Sequence, residues 1–275
     1  MVRRDLVITS RQNPSVKAVC ALSEKKERET RGLFRFDGVK LFLEAVTSGV
    51  EIESVFIKEG SITSLEERIG DLLSSYEKRI VTVSDSVFEK ISEEKSPEGI
   101  ITVAKHIDKF SKIVKIENSR IPALSESVII LESIRDPGNL GTIIRCAAAL
   151  GVERIIMSSD CADLYNPKTI RAAMGGIFKL NIDRVESELL GDYVLKLRES
   201  GRRVFAAALD PTAMTLGEFE YRTGDCFVIG NEGHGLSKRL LEVASGSVII
   251  PMREDCESLN AAMAAVILMW ETRRI

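Results

Sequence analysis

Three polar stretches in the second half of this 275-residue chain carry the residues able to do chemistry. The first, Glu132-Ser-Ile-Arg-Asp-Pro-Gly-Asn-Leu-Gly141, follows the apolar run 128–131 and leads into an apolar, Ala-rich segment holding Arg145. Pro137 and Gly138 make a turn there, and Asn139 falls where a helix N-cap is expected. Arg145 stands one helical turn after Gly141, among Ile143, Ile144, Ala147, Ala148 and Leu150. A lone guanidinium in so apolar a helix must reach solvent or meet an anion. The second stretch, Gly230-Asn-Glu-Gly-His-Gly235, follows the apolar run 227–229. It lacks Gly-Lys-Ser/Thr and the Gly-x-Gly-x-x-Gly spacing, so it is no phosphate loop. Glu232 would repel an anion, so this turn suits a neutral or cationic ligand. The third stretch runs from Ile250-Pro-Met252 to Ser258-Leu-Asn260, ahead of Ala261-Ala-Met-Ala-Ala265. Ser258 can cap the helix that follows. Asn260 can bond the edge of a heterocycle or simply its own backbone.

The elements that must hold these stretches alternate. Strands are predicted over 128–131, 154–157, 179–182, 204–209, 227–229 and 248–250, and helices over 140–150, 167–174, 186–200, 236–244 and 259–273. Short apolar runs between helices indicate a mostly parallel sheet covered on both faces. Open sheets of this kind place ligands beyond the carboxyl ends of their strands. A smaller α/β alternation precedes it over 33–104. Between the two, residues 105–126 have no sustained period and read as a connection. Residues 14–31 read as one helix whose apolar face is Val16, Val19, Cys20 and Leu22. Residues 3–31 carry a basic excess, which is either a solvated helix or a contact to an RNA backbone.

Bulk composition narrows the classes. The chain is 44% hydrophobic and 29% charged with a net charge of −3, so it has the composition of an ordinary folded protein and no chain-wide nucleic-acid footprint. No apolar run reaches the length of a membrane span, and the N-terminus has no signal-peptide core, so a cytoplasmic protein is expected. The five cysteines lack Cys-x-x-Cys spacing and there are two histidines, which leaves no plausible zinc set. Cys256, inside the third stretch, has no neighbour in sequence that would activate it. A Rossmann-type dehydrogenase is disfavoured, because no Gly-x-Gly-x-x-Gly follows the first strand.

Taken together, Asn139-x-Gly141-x-x-x-Arg145, Gly230-Asn-Glu-Gly-x-Gly235 and Ile250-Pro-Met with Ser258-Leu-Asn260 resemble the three motifs of the SpoU (TrmH) branch of the SPOUT RNA methyltransferases. Order and spacing match across residues 128–275. More loosely, Arg11-x-Asn13-Pro, Lys17, Arg31-x-x-x-Arg35-x-Asp37-Gly38 and Ser96-Pro-x-Gly99 look like the substrate-binding domain of that family's rRNA-modifying members. The resemblance implies an α/β, SPOUT-type mostly parallel sheet with a C-terminal trefoil knot, preceded by a smaller α/β (L30e-like) substrate-binding domain. The expected division is 1–105 for RNA binding, 106–126 as linker and 127–275 for the methyltransferase domain.

The implied activity is S-adenosyl-L-methionine-dependent methyl transfer to a ribose 2′-hydroxyl of RNA, with 23S rRNA the first target. A tRNA target, or an inactive RNA-binding module of the same fold, is the alternative. By the same resemblance, cofactor contacts fall on Leu209, Gly230, Asn231, Glu232, Gly233, Ile250, Leu259 and Asn260. Catalytic and site-building roles fall on Arg145, Asn139, Glu232, Ser258 and Asn260, and RNA contacts on Arg11, Asn13, Lys17, Arg31 and Arg145. A homodimer is implied; neither a metal nor a membrane is. A guanidinium with a pKa above about 12 is a poor base, so Arg145 is better suited to fixing the RNA and stabilising a developing alkoxide. One departure stands out: family members often carry Gly soon after Ile-Pro-Met, where this chain has Arg253-Glu-Asp-Cys256.

Overall fold

The computed structural model describes residues 6–107, 120–218, 220–231, 233–253 and 258–272. The chain divides into two compact units, residues 1–107 with 165–178, and residues 108–164 with 179–275.

The first unit holds a four-stranded sheet made of β1 (Leu33–Asp37), β2 (Ile52–Lys58), β3 (Ile80–Val83) and β4 (Ile100–Lys105) in the order β1-β4-β2-β3. β4 pairs antiparallel with both β1 and β2, and β2 pairs parallel with β3. Residues 14–31 do not form the single helix expected. They make α1 (Pro14–Ala21), capped by Asn13 with proline in its first turn, and α2 (Lys25–Arg31), which ends on Gly32 at φ 63°. The break has a buried cause. Arg28, 3% exposed, folds its guanidinium back onto the carbonyls of Leu22 (2.8 Å) and Ser23 (2.6 Å) at the turn between the helices. Charge-assisted bonds to carbonyls no longer held by a continuing helix stabilise the interruption. Helices α3 (Val39–Thr47), α4 (Ile62–Ser74) and α5 (Asp85–Ile91) complete the alternation. Val16, Val19, Leu22, Phe56, Val87, Phe88 and Ile101 form one core cluster.

Helix α7 (Pro167–Ala173) also belongs to this unit, although the sequence division carries it within 127–275. Aromatic contacts account for its place: Tyr165 lies against Phe34 (centroids 4.7 Å apart) and stacks on His106 (4.1 Å), while Phe178 meets Phe36 (5.7 Å).

The second unit is a seven-stranded sheet of β5 (Val128–Leu131), β6 (Arg154–Ser158), β7 (Asn181–Val185), β8 (Val204–Ala207), β9 (Met214–Thr215), β10 (Cys226–Ile229) and β11 (Gly246–Ile249). Its order is β7-β6-β5-β10-β8-β11-β9, and each pairing between neighbours is parallel. β5, β6 and β10 are buried along their whole length, which is why β5, β10 and the centre of β6 are apolar runs rather than alternating ones. Helices α6 (Pro137–Ala149), α8 (Leu190–Glu199), α9 (Lys238–Val243) and α10 (Ala261–Thr272) accompany the sheet, and α10 packs along α6. Val128, Ile130, Tyr193, Val194, Leu197, Val204 and Val228 lie in its core.

Several boundaries differ from expectation, among them those of three strands of this unit, and one strand is additional. β8 stops at Ala207, so Ala208 and Leu209 leave the sheet. β7 begins at Asn181, after a 3-10 turn at Gly176–Phe178. β11 runs from Gly246 to Ile249, and the short edge strand β9 is new. Two buried arginines secure the ends of the sheet. Arg202, 2% exposed, donates to the carbonyls of Gly224, Ala123 and Glu126, and Arg154 bridges Glu126 (2.7 Å) and Asp183 (2.6 Å).

Candidate active site

Beyond the carboxyl ends of β8, β10 and β11, three loops enclose a cavity of about 390 Å³. Leu209 lines it from the end of β8, Gly230 and Asn231 from the end of β10, and Ile250 from the end of β11. Ser258 and Leu259 line it from the stretch ahead of α10. No lysine or arginine is among the described lining residues, and the apolar contribution comes from residues such as Ala207, Ile229, Leu236, Val248 and Ala264. Sequence reasoning missed Ala208, His234 and Met252, which also line the cavity. The signal for Ala208 was hidden because the strand was drawn two residues too long.

Glycine at 230 is required by close approach. A Cβ there would lie 2.4 Å from the Gly235 carbonyl oxygen and 2.8 Å from the Leu236 nitrogen, both backbone atoms that cannot swing away. The loop closes on itself: Asn231 N donates to Gly235 O (3.2 Å), and Gly235 N, at φ 65°, donates to Asn231 O (2.8 Å). Inside the turn the Asn231 side-chain oxygen accepts from Gly233 N (2.8 Å) and His234 N (3.3 Å). Gly233 therefore shapes the loop without lining the cavity. Glu232 lies outside the described residues, as do Cys256 and the rest of 254–257, where the expected glycine is missing.

The capping expectations are corrected. Asp136, not Asn139, is the N-cap of α6, with its carboxylate accepting from Asn139 N (2.8 Å) and Pro137 in the first turn. Asn139 thus sits within the first turn, and its side-chain oxygen accepts from Asn260 Nδ2 (3.1 Å). Asn260, rather than Ser258, caps α10, its oxygen accepting from Ala262 N (2.9 Å) and Met263 N (3.3 Å). One asparagine thereby ends the third stretch and holds the first, while Ser258 is left to the cavity wall. Asn260 itself is exposed and not among the lining residues.

Arg145 is exposed on α6, makes no ion pair or hydrogen bond among the described residues, and is not part of the cavity lining. α10, which packs along α6, exposes Met263 (49%) and Trp270 (58%). Cys161 and Cys226 are not nucleophiles in waiting, since burial pushes the Cys161 thiol up to about 11 and Cys226 up to about 12.

The RNA-contact residues expected from the sequence lie in the first unit. Arg11 is exposed and donates to Ser86 O (3.2 Å), Asn13 caps α1 by accepting from Ser15 N (2.9 Å), and Lys17 is exposed. Arg31 pairs with Glu27 (2.9 Å) one turn back on α2. Arg35, from the same looser motif, is buried and bonded to Ile91 O, Ser23 Oγ and Glu93.

Among the described residues no cluster of His, Cys, Asp or Glu is placed to hold a metal, and no helix is long and apolar enough to cross a membrane. A parallel sheet whose carboxyl-end loops line a small cavity, with no lysine or arginine among the described lining residues, is the arrangement in which open α/β sheets bind their ligands. The comparisons narrow this. Residues 126–270 match the SpoU rRNA Methylase family and residues 13–102 match the MRM3-like substrate binding domain. The chain belongs to the SpoU rRNA methylase family.

Among curated relatives it is 31% identical to an uncharacterised tRNA/rRNA methyltransferase of Synechocystis, across 97% of this chain and 93% of that one. It is also 31% identical to the 23S rRNA (guanosine(2553)-2′-O)-methyltransferase RlmP of Bacillus subtilis, across 97% and 98%. The AdoMet-bound rRNA methyltransferase structure from Sinorhizobium meliloti superposes with a TM-score of 0.83 at 28% identity, covering 98% of this chain and 97% of that one.

Proposed function

We propose that this protein transfers a methyl group from S-adenosyl-L-methionine to a ribose 2′-hydroxyl of large-subunit rRNA. The observation that carries the reading is the cavity at the ends of β8, β10 and β11, a mainly apolar wall with Asn231, His234 and Ser258 as its polar side chains and no lysine or arginine in its described lining. Such a wall suits a cofactor that is itself cationic and carries a purine. S-adenosylmethionine, when bound, supplies a methyl group already activated on a sulfonium. The names of the B. subtilis and S. meliloti relatives support both the cofactor and the rRNA substrate.

With the donor already activated, the protein's task is alignment and charge. Leu209, Ile250 and Leu259 would hold the cofactor's apolar faces, and the turn at 230–235 would offer it backbone hydrogen bonds. Glu232 favours a nearby positive charge. Asn139, fixed by Asn260, sets the first turn of α6. A ribose hydroxyl that accepts the methyl group would release its proton to solvent, and the departing proton would leave negative charge on the oxygen. Arg145 donates to that oxygen or to the adjoining phosphate, a role that needs a permanent cation rather than a base.

Arg145 is not among the residues lining its own chain's cavity, and Met263 and Trp270 are exposed apolar surface on α10, which packs along the helix of Arg145. Both support a homodimer in which a second copy supplies Arg145. The reading also carries a C-terminal trefoil knot, the cytoplasm as the compartment, and RNA contacts from Arg11, Asn13, Lys17 and Arg31.

The deciding test is transfer of label from methyl-tritiated S-adenosylmethionine to unmodified cellular RNA, followed by size separation and nuclease mapping. Alkali-resistant label at one ribose of large-subunit rRNA is the expected result. Label on tRNA would overturn the substrate. Failure to bind the cofactor at all would favour an inactive RNA-binding module.

A further inference from the structure

Ser133, which opens the first polar stretch, is held left-handed at φ 55° without being glycine. A left-handed conformation costs an L-residue on the order of 1–2 kcal/mol unless its surroundings over-determine it. Here they do, because three of its polar atoms are used. Ser133 N donates to Ser158 Oγ (2.8 Å), Ser133 Oγ donates to Asp160 Oδ2 (2.6 Å), and Ser133 O accepts from Asn231 Nδ2 (3.0 Å). The first two partners come from the end of β6, and the third is a wall of the cavity.

Asp160 is the hub on the β6 side. Its Oδ1 accepts from Ser158 Oγ (2.6 Å) and Ser187 Oγ (2.9 Å), and Arg135 Nη2 approaches Oδ2 at 3.2 Å. The next residue of the loop is also gripped, since Ile134 N donates to Cys161 Sγ (3.3 Å) and Ala162 N donates to Ile134 O (2.8 Å). Burial alone would raise the Asp160 carboxyl. The hydrogen bonds from Ser133, Ser158, Ser187 and Arg135 outweigh it and bring the group down to about 2, so the carboxylate is ionised throughout the working range.

We infer that Asp160 is a positioning residue for methyl transfer. Through Ser133 it fixes the turn that orients residues 134–139 and, by way of Asn231, couples that turn to the cavity loop at 230–235. The inference rests on the methyltransferase reading for its catalytic consequence. Its structural content is independent of that reading: a carboxylate on one strand end compels a non-glycine residue on another to stay left-handed, and two site loops are built on that residue.

The test is a rescue. Asp160→Ala removes the acceptor, leaving Ser133 free to relax to negative φ. Turnover on RNA should fall by at least about tenfold, as expected when reacting groups are displaced by a fraction of an ångström, with the KM for RNA changed far less than kcat. In the same background Ser133→Gly takes φ 55° at no steric cost, and should recover most of the lost turnover. An aspartate acting only as a general stabiliser would not be rescued by removing a second side chain.

A readout that needs no activity runs in parallel, namely amide hydrogen exchange by mass spectrometry over the peptide spanning 132–140 in the cofactor-free protein. Asp160→Ala should speed exchange there while leaving β1–β4 as in the parent, and Ser133→Gly should slow it again. Parental exchange and turnover in Asp160→Ala would overturn the proposal, as would a loss that Ser133→Gly leaves uncorrected. If the parent itself methylates no RNA, the functional reading fails and the exchange experiment still decides this one.

Discussion

The two units use their arginines in opposite ways. In the first unit, Arg28 lies in the basic stretch and Arg35 in the looser motif that suggested RNA binding, yet both are 3% exposed and turned inward, Arg28 onto two carbonyls and Arg35 onto a carbonyl, a serine and a glutamate. In the second unit, Arg145 sits in an apolar helix and is an exposed arginine with no partner among the described residues. Arginines of a basic run can serve folding, while the isolated cation in an apolar segment is the one proposed to serve chemistry. The reason is that guanidinium groups satisfy buried carbonyls as readily as phosphates. What separates the two uses is burial, which charge counting does not register.

The sharpest way to break this contrast is at Arg145. Arg145→Lys keeps the charge but loses the planar fork of donors, and turnover should drop by about 10²–10³-fold while calorimetric affinity for S-adenosylmethionine stays near the parent value. Parental turnover would remove Arg145 from the mechanism. Next in size is Gly230→Ala. The added methyl would meet backbone at 2.4 Å, so the loop must open at a cost of roughly 3 kcal/mol, and cofactor affinity should weaken by about a hundredfold. Retained affinity would show that the 230–235 turn is not the cofactor's wall.

Arg28→Met tests the other side of the comparison. It should cost about 2 kcal/mol of stability by denaturant titration, because the Leu22 and Ser23 carbonyls lose their donor, and it should leave RNA affinity at the parent level after correction for unfolded protein. A specific loss of RNA binding without destabilisation would return Arg28 to the RNA face. Smallest is Lys17→Ala. Lys17 is exposed on α1, and its removal should lower the slope of log affinity against log salt by about 0.7–0.9 with little change in melting. An unchanged slope would place the phosphate contacts elsewhere.

Much of the architecture was legible because the central strands are unusual in sequence. Runs such as Val-Ile-Ile-Leu at 128–131 and Cys-Phe-Val-Ile at 226–229 are apolar without alternation, as strands buried on both faces must be, and the polar stretches after them marked the loops that enclose the cavity. Local chemistry was read less well. Asn139 and Ser258 were plausible caps by residue type, but Asp136 and Asn260 hold those ends, because a cap is chosen by where the first turn starts and not by which capping residue is nearest.

The sequence alone therefore determined the parallel sheet, the three loop motifs, the glycine needed at 230 and the family those features share. All of these depend on local periodicity or on residue types with a single backbone use. Tertiary structure alone decided that residues 165–178 pack with the first unit, that 14–31 break at Leu22–Glu24, that Asn260 reaches Asn139, and that Ser133 is held left-handed by Asp160. Each of these last depends on a partner from a separate segment of the fold, or on a guanidinium turned back on its own chain. The free energy of such a contact depends on burial and geometry that do not exist until the chain has folded.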